Sequence, residues 1–543
     1  MRRRGFLAST TALPLLGCAP PRHEIAGGFT GINVARGHAL RDTAAWPAPG
    51  AVRRTRVLIA GGGVAGLAAA RALRLRGIDD FALLELENEA GGNSRGGSVQ
   101  GVACPLGAHY LPVPGDDARE VQDLLEEFGL RRREAGRWVY DERHLCHSPQ
   151  ERLFFRGAWQ EGLLPVQDVG RETLAQYRRF AARVEQLRRE AKFSIPVSKA
   201  PKVQVHWSLD AMTFVAWLNQ EGFGDPQLRW YLDYCCRDDY GAGIASVSAW
   251  AGIHYFASRH GFSAPDEPAA GERDGLLTWP EGNAWLTRRL AVPLGERLRA
   301  GCTVLRIAEG RHGVELDAYH HASRTVQRWQ AERCIVALPA FIAARVVQNP
   351  PPFLARAAAR LRYAPWLVAN LHLDAPLQDR PGAAPAWDNV IYRESGEGGG
   401  LGYVDARHQA LDPRPAPTVL TYYQALGDTP GGRRLLLERP WEAWRDAILA
   451  ALSVPHPDLP ARTTRIDITR YGHAMAMPVP GILKEISPMS SSSGRLMLSN
   501  QEQSAATPAT PRLRFAHSDW SGYSIFEEAF TRGHAAGMSP AVA

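Results

Sequence analysis

Lysine is nearly missing from this chain: of 543 residues 63 are basic, and only Lys192, Lys199, Lys202 and Lys484 are lysine. The net charge of +7 is therefore an arginine charge. No basic stripe is interleaved with aromatics, so nucleic acid is excluded as the expected partner, and the arginine bias reads as codon composition. Cysteine is sparse as well. Beyond Cys18 there are six (Cys104, Cys146, Cys235, Cys236, Cys302 and Cys334), none at metal-ligand spacing, and the adjacent Cys235-Cys236 are poorly placed to pair with each other. Buried thiols are the expectation, with a disulfide left open for an oxidising compartment. The N-terminal apolar stretch through Leu16 is too short to remain as a membrane-spanning helix.

What is present starts at residues 56–97. The apolar run Val57-Leu58-Ile59-Ala60 reads as a strand, Gly61-Gly62-Gly63-Val64-Ala65-Gly66 as a turn entering a helix over 67–76, and residues 81–84 as a second strand ending on Glu85. Each glycine has a steric reason. Gly61 permits the tight turn, Gly63 lets backbone approach a diphosphate, and Gly66 lets helix and strand pack closely. The helix start, with Val64 and Ala65, offers unpaired N–H groups and a positive dipole end. Glu85 lies 24 residues after Gly61, where a carboxylate accepts ribose hydroxyls and repels a 2′-phosphate. The ligand is therefore FAD or NAD rather than NADP.

Gly91-Gly92 follows Glu85 by six and seven residues. This continuation resembles that of the superfamily of flavin-containing amine oxidases, phytoene desaturases and protoporphyrinogen oxidases, in which the diglycine returns backbone to the FAD diphosphate. Asn93 stands where that superfamily has arginine; Arg95 either takes over the phosphate contact or is a solvated loop charge. Residues 515–523, Phe-Ala-His-Ser-Asp-Trp-Ser-Gly-Tyr, with the helical residues 526–529 after them, resemble the superfamily's closing motif. The resemblance implies that Asp519 binds the flavin ribityl chain and that Phe526 begins a helix whose N-terminus meets the flavin pyrimidine ring. It also implies that Val304 brackets adenine, that residues 334–339 form a strand returning to the nucleotide domain, and that Gly107 ends an early strand near the flavin ring. The implied cofactor is FAD.

The implied fold class is α/β, more fully an α+β two-domain protein: a Rossmann-like FAD-binding domain interleaved with a mixed substrate-binding domain. We expect an export signal at 1–18, a linker at 19–50 rich in Gly, Ala and Pro, an FAD domain from 51–113, 270–345 and 490–543, and a substrate domain with a helical layer from 114–269 and 346–489. Helices are expected over 118–128, 172–193, 211–220 (capped by Ser208 or Asp210), 226–237 and 246–259, with strands over 138–162 and 366–423. Arg3-Arg4-Gly5-Phe6-Leu7 resembles a twin-arginine signal, and Leu15-Leu16-Gly17-Cys18 a bacterial lipobox. The expected partners are the twin-arginine export machinery and a membrane reached through a lipidated Cys18, with the protein periplasmic.

For chemistry, His109 either binds substrate or shuttles a proton, beside Tyr110. Tyr523 corresponds to one wall of the aromatic cage in monoamine oxidases. Residues 340–376 hold no lysine, whereas many flavin amine oxidases carry one there that assists oxygen reduction; Trp366 or its neighbours occupy the stretch. The expectation is hydride transfer from a small amine-type substrate to FAD, with oxygen or a quinone as electron acceptor. The alternatives are a desaturase or protoporphyrinogen-oxidase-like dehydrogenase with a non-oxygen acceptor, and a non-catalytic flavin-binding lipoprotein.

Overall fold

Five parallel strands, in the order Leu298–Arg299, Phe81–Leu84, Val57–Ala60, Arg333–Val336 and Leu513–Phe515, bring three distant stretches of the chain into one sheet. The computed structural model describes residues 24–41, 46–259, 261–265, 275–393, 400–412, 414–486 and 508–542. The twin-arginine and lipobox residues lie outside them. Val57–Ala60 and Phe81–Leu84 are buried throughout, as continuous apolar runs in a parallel sheet covered on both faces must be. Helix Val64–Leu75 crosses between them, and the closing helix Phe526–Met538 lies against it. Two glycines set these distances: a Cβ on Gly66 would stand 1.9 Å from the Gly61 carbonyl oxygen, and one on Gly533 2.0 Å from that of Ala65.

A mixed eight-stranded sheet carries the other half, with Thr463–Met477, Arg362–Leu373 and Thr418–Ala425 at its centre. Over it lie helices Arg171–Glu190, Phe214–Gln220, Pro226–Tyr240 and Ala249–Ala257. In Arg171–Glu190 the stripe Tyr177, Phe180, Val184 and Leu187 is buried while the intervening charges face water, and the Phe180 ring meets Phe223, Phe256 and Phe262 at 5.0–5.7 Å. It covers a core, as expected of an amphipathic helix. Among the described residues no helix is long and apolar enough to cross a membrane.

Two expectations need correction. The linker is not free chain over its described part: Ala26–Thr30 is a parallel edge strand paired with Thr463–Met477 from Ala26↔Arg465 to Thr30↔Thr469. Neither Ser208 nor Asp210 caps the expected helix over 211–220. The chain breaks there into Gln204–Asp210 and Phe214–Gln220, and the cap is Thr213, whose hydroxyl accepts from Ala216 N at 3.3 Å. Asp210 turns inward to accept from Leu483 N at 3.0 Å, so tertiary demand outweighs its local capping preference. All six cysteines after Cys18 are free and buried.

Candidate active site and cofactor cradle

A cavity of about 450 Å³ is lined from both sheets, reaching from Glu85 and Val304 at one end to Asp238 and Arg259 at the other. Its floor is backbone. Gly91 N donates to the Gly62 carbonyl at 2.8 Å, Gly63 and Gly91 form a parallel bridge, and a Cβ on Gly92 would sit 3.1 Å from Gly63 Cα. Gly91 and Gly92 hold positive φ (132° and 57°), a backbone region that side chains disfavour. Gly63 is the N-cap of Val64–Leu75 and no side chain caps that end, so the helix presents bare N–H groups where Gly61, Val64 and Ala65 also line the cavity. Gly66 faces the strand instead, in the packing role described above. An anionic diphosphate fits this floor.

Glu85 accepts from Gly62 N and Glu87 N, both at 2.8 Å, one bond on each oxygen. Burial raises its pKa, opposed by those two bonds and by Arg95. Asp519, fully buried, accepts on Oδ2 from Ala340 N at 2.8 Å and from the Tyr363 hydroxyl at 2.5 Å, and Oδ1 lies 3.0 Å from His517 Nδ1. Burial would push its pKa up, but His517 and these donors outweigh burial and hold it below the usual carboxylate range. Asn93, Gly107 and Phe526 line the cavity too. The residues present thus supply a side-chain-free anion floor, a ribose-type carboxylate and a second buried carboxylate, and they fit FAD.

Arg95 does neither of the things expected of it. Its guanidinium donates to the Gly31 carbonyl at 2.6 Å and the Gly92 carbonyl at 3.2 Å, and lies 3.8 Å from Glu87, so it ties the N-terminal segment to the diglycine loop. The same segment is fastened at three more points. Asn33 N donates to Glu87 at 3.0 Å, Arg36 to the Leu86 carbonyl at 3.0 Å and to Asn88 at 2.9 Å, and Arg345 to the Leu40 carbonyl at 2.8 Å. Gly37 and Leu40 consequently line the cavity.

At the inner end, His109 stacks on Tyr423 with ring centroids 4.3 Å apart, and burial pushes its pKa down to about 3. It is neutral near pH 7 and cannot gain and lose a proton there. The Tyr110 hydroxyl donates to Asp238 at 3.5 Å. Tyr523 is not among the lining residues: its hydroxyl donates to Asp239 and accepts from Arg259 at 2.5 Å, behind the cavity wall. Trp366 and Tyr423 are among the aromatic residues that line the cavity.

The acids at this end belong to no local sequence motif. Asp238, Asp239 and Glu527 line the cavity together with Arg259, whose guanidinium lies 2.9 Å from Asp239. Glu527 is 2% exposed, and its Oε2 has no hydrogen-bond partner. Asn283, 1% exposed, donates to the Tyr110 carbonyl at 2.9 Å and leaves Oδ1 unpaired. Burial first, then Asp239, raise Asp238 to about 7; burial likewise raises Glu527 to about 7. One signal was available. Acids in the last turn of a helix oppose its dipole, and Asp238-Asp239 end Pro226–Tyr240.

A parallel nucleotide sheet closed by the chain's own last helix, over a cavity with an acidic inner end, defines a flavoprotein oxidoreductase. The chain belongs to the flavin containing amine oxidoreductases, the family matched by residues 64–439, and is an FAD-dependent enzyme. No curated protein matches its sequence. Among solved structures it is similar to a putrescine oxidase bound to putrescine (15% identity, TM-score 0.63, covering 90% of this chain and 98% of that one). Cyclohexylamine oxidase from Brevibacterium oxydans is also similar (16%, 0.63, 89% and 98%), as is a CLA-producing fatty acid isomerase from P. acnes (14%, 0.59, 88% and 97%). At these identities the likeness is one of fold.

Proposed function

We propose that this enzyme oxidises a small organic amine that arrives as a cation, and that its electrons leave to an acceptor other than oxygen. The observation that carries the substrate class is the inner end of the cavity, where Asp238, Asp239 and Glu527 face, among the described residues, a single arginine. Such an end attracts an ammonium and repels a carboxylate. Trp366 and Tyr423 provide apolar walls for the carbon chain, and neutral His109 stiffens one of them by stacking. FAD, when bound, supplies the hydride acceptor. The amines named for the similar solved structures, putrescine and cyclohexylamine, carry the positive charge this end favours.

The acceptor reading rests on lysine. None stands in residues 340–376, and none lines the cavity among the described residues. We further propose, from the twin-arginine-like and lipobox-like residues, that the protein is exported with FAD already in place and is held to a bacterial membrane through Cys18. The test is anaerobic reduction of the bound flavin by putrescine, cyclohexylamine and benzylamine. Bleaching by at least one is expected, and indifference to all of them sinks the amine reading in favour of a desaturase-type donor.

A further inference from the structure

The amine reading leaves one proton unaccounted for. An alkylamine is an ammonium at neutral pH, and an ammonium has no lone pair with which to expel a hydride from its α-carbon. The N–H proton must first be given to a base. Beside the aromatic walls, three carboxylates and His109 are the groups to consider.

His109 is excluded because its half-buried imidazole is stacked on Tyr423 with its pKa driven down to about 3, too weak a base to deprotonate an ammonium. Asp239 is excluded by its engagements: it lies 2.9 Å from Arg259 and accepts the Tyr523 hydroxyl. Glu527 is enclosed at 2% exposure at the start of the closing helix. Asp238 differs from all of these. It is half-buried, lines the cavity, and has the Tyr110 hydroxyl at 3.5 Å as its one described hydrogen-bond donor, leaving carboxylate capacity for a ligand. The buried Asn283 Oδ1, which has no partner and lines the same cavity, independently calls for a ligand with an N–H donor.

Resting on the amine reading, we propose that Asp238 is the catalytic base of this enzyme, binding the substrate ammonium as an ion pair and taking one of its protons. The step is R–NH3⁺ plus the Asp238 carboxylate giving R–NH2 plus the Asp238 carboxylic acid; an N–H bond breaks, an O–H bond forms, and the nitrogen keeps its electron pair. Tyr110 donates to Asp238 Oδ2 at 3.5 Å, which leaves Oδ1 for the amine.

The surroundings set when Asp238 is a competent acceptor. On its own helix stand Asp239, Cys235 and Tyr234; from other elements come Tyr110, Arg259 and Glu151, with Asp388 and Tyr423 also within electrostatic reach. Burial and the like charges of Asp239 and Glu151 raise its proton affinity, and Arg259 and the Tyr110 bond oppose them, with a balance at about 7. Above that pH it is an anion with more proton affinity than an ordinary aspartate. That narrows the gap to an alkylammonium, and the apolar walls narrow it further by disfavouring the charged amine.

The test compares wild type, Asp238→Asn and Asp238→Glu. Anaerobic flavin reduction by subsaturating putrescine and cyclohexylamine is followed from pH 7 to 9.5. Asp238→Asn is expected to be slower by on the order of 100-fold at pH 7 and to regain about tenfold per pH unit as the free base accumulates. Wild type and Asp238→Glu are expected to vary little above pH 8. A second readout needs no turnover: calorimetry of cyclohexylamine binding to dithionite-reduced enzyme at pH 8 in two buffers of different ionisation heat. Wild type should release no proton to buffer, and Asp238→Asn about one per amine bound. A flavin-replete Asp238→Asn with a wild-type pH profile and no proton release overturns the base assignment while leaving the amine reading intact. Failure of putrescine, cyclohexylamine and benzylamine alike to reduce wild type at any pH overturns both.

Discussion

Arg36 donates to the Leu86 carbonyl at 3.0 Å and so binds a segment outside the family match to the loop that follows Glu85. The same guanidinium reaches Asn88 at 2.9 Å, and the segment's Gly37 and Leu40 close part of the cavity. Residues 24–41 therefore act as a strap over the nucleotide site.

Arg36→Ala should loosen that strap. Losing two charge-assisted bonds at a partly buried site costs about 1.5–3 kcal/mol of strap closure. FAD release, followed by the rise of free-flavin fluorescence, is expected to be on the order of tenfold faster, and proteolysis of the segment should increase in parallel. An unchanged release rate would show that the strap plays no part in retention.

Glu527 supplies a pH test of stability. Its carboxyl pKa is raised from 4.5 to about 7 by burial, so between those values the native state holds a proton that the unfolded state has lost. Stability from this group is fully present below about pH 4.5 and is lost as pH rises toward 7, amounting to about 3 kcal/mol. Glu527→Gln should remove that slope. Denaturant unfolding of both proteins at pH 4.5, 6 and 8, with FAD present, measures it, and parallel curves would reject a protonated Glu527.

Oxygen should be a poor acceptor. With no lysine in residues 340–376, reoxidation of reduced enzyme by air-saturated buffer is expected to be on the order of 100-fold slower than by a soluble quinone. Stopped-flow absorbance of the flavin distinguishes the two. Equal rates would return the enzyme to the oxidases.

The nucleotide cradle was readable because its constraints are local. Gly61, Gly63 and Gly66 are dictated by the turn and helix they belong to, and Glu85 by the strand it ends, so a window of about thirty residues holds the whole pattern. The inner end of the cavity was not readable in the same way. Asp238, Arg259 and Glu527 come from three separate elements, and nothing near any of them in sequence says that they share a wall. Tyr523 and Arg95 failed for the same reason: each finds a stronger partner in a remote segment, Asp239 and Arg259 for the first and Gly31 for the second. Within the expected linker, composition speaks only to chain flexibility, whereas the open edge of Thr463–Met477 recruits Ala26–Thr30 as a strand.

The parallel sheet is completed by Leu513–Phe515, and the helix Phe526–Met538 then seals the Val64–Leu75 helix through Gly533. Synthesis of this protein is thus unfinished business for its cofactor until the ribosome has passed these residues and their strand has left the exit tunnel. A chain that stops before Leu513 lacks both the fifth strand of the nucleotide sheet and the helix that packs on Val64–Leu75.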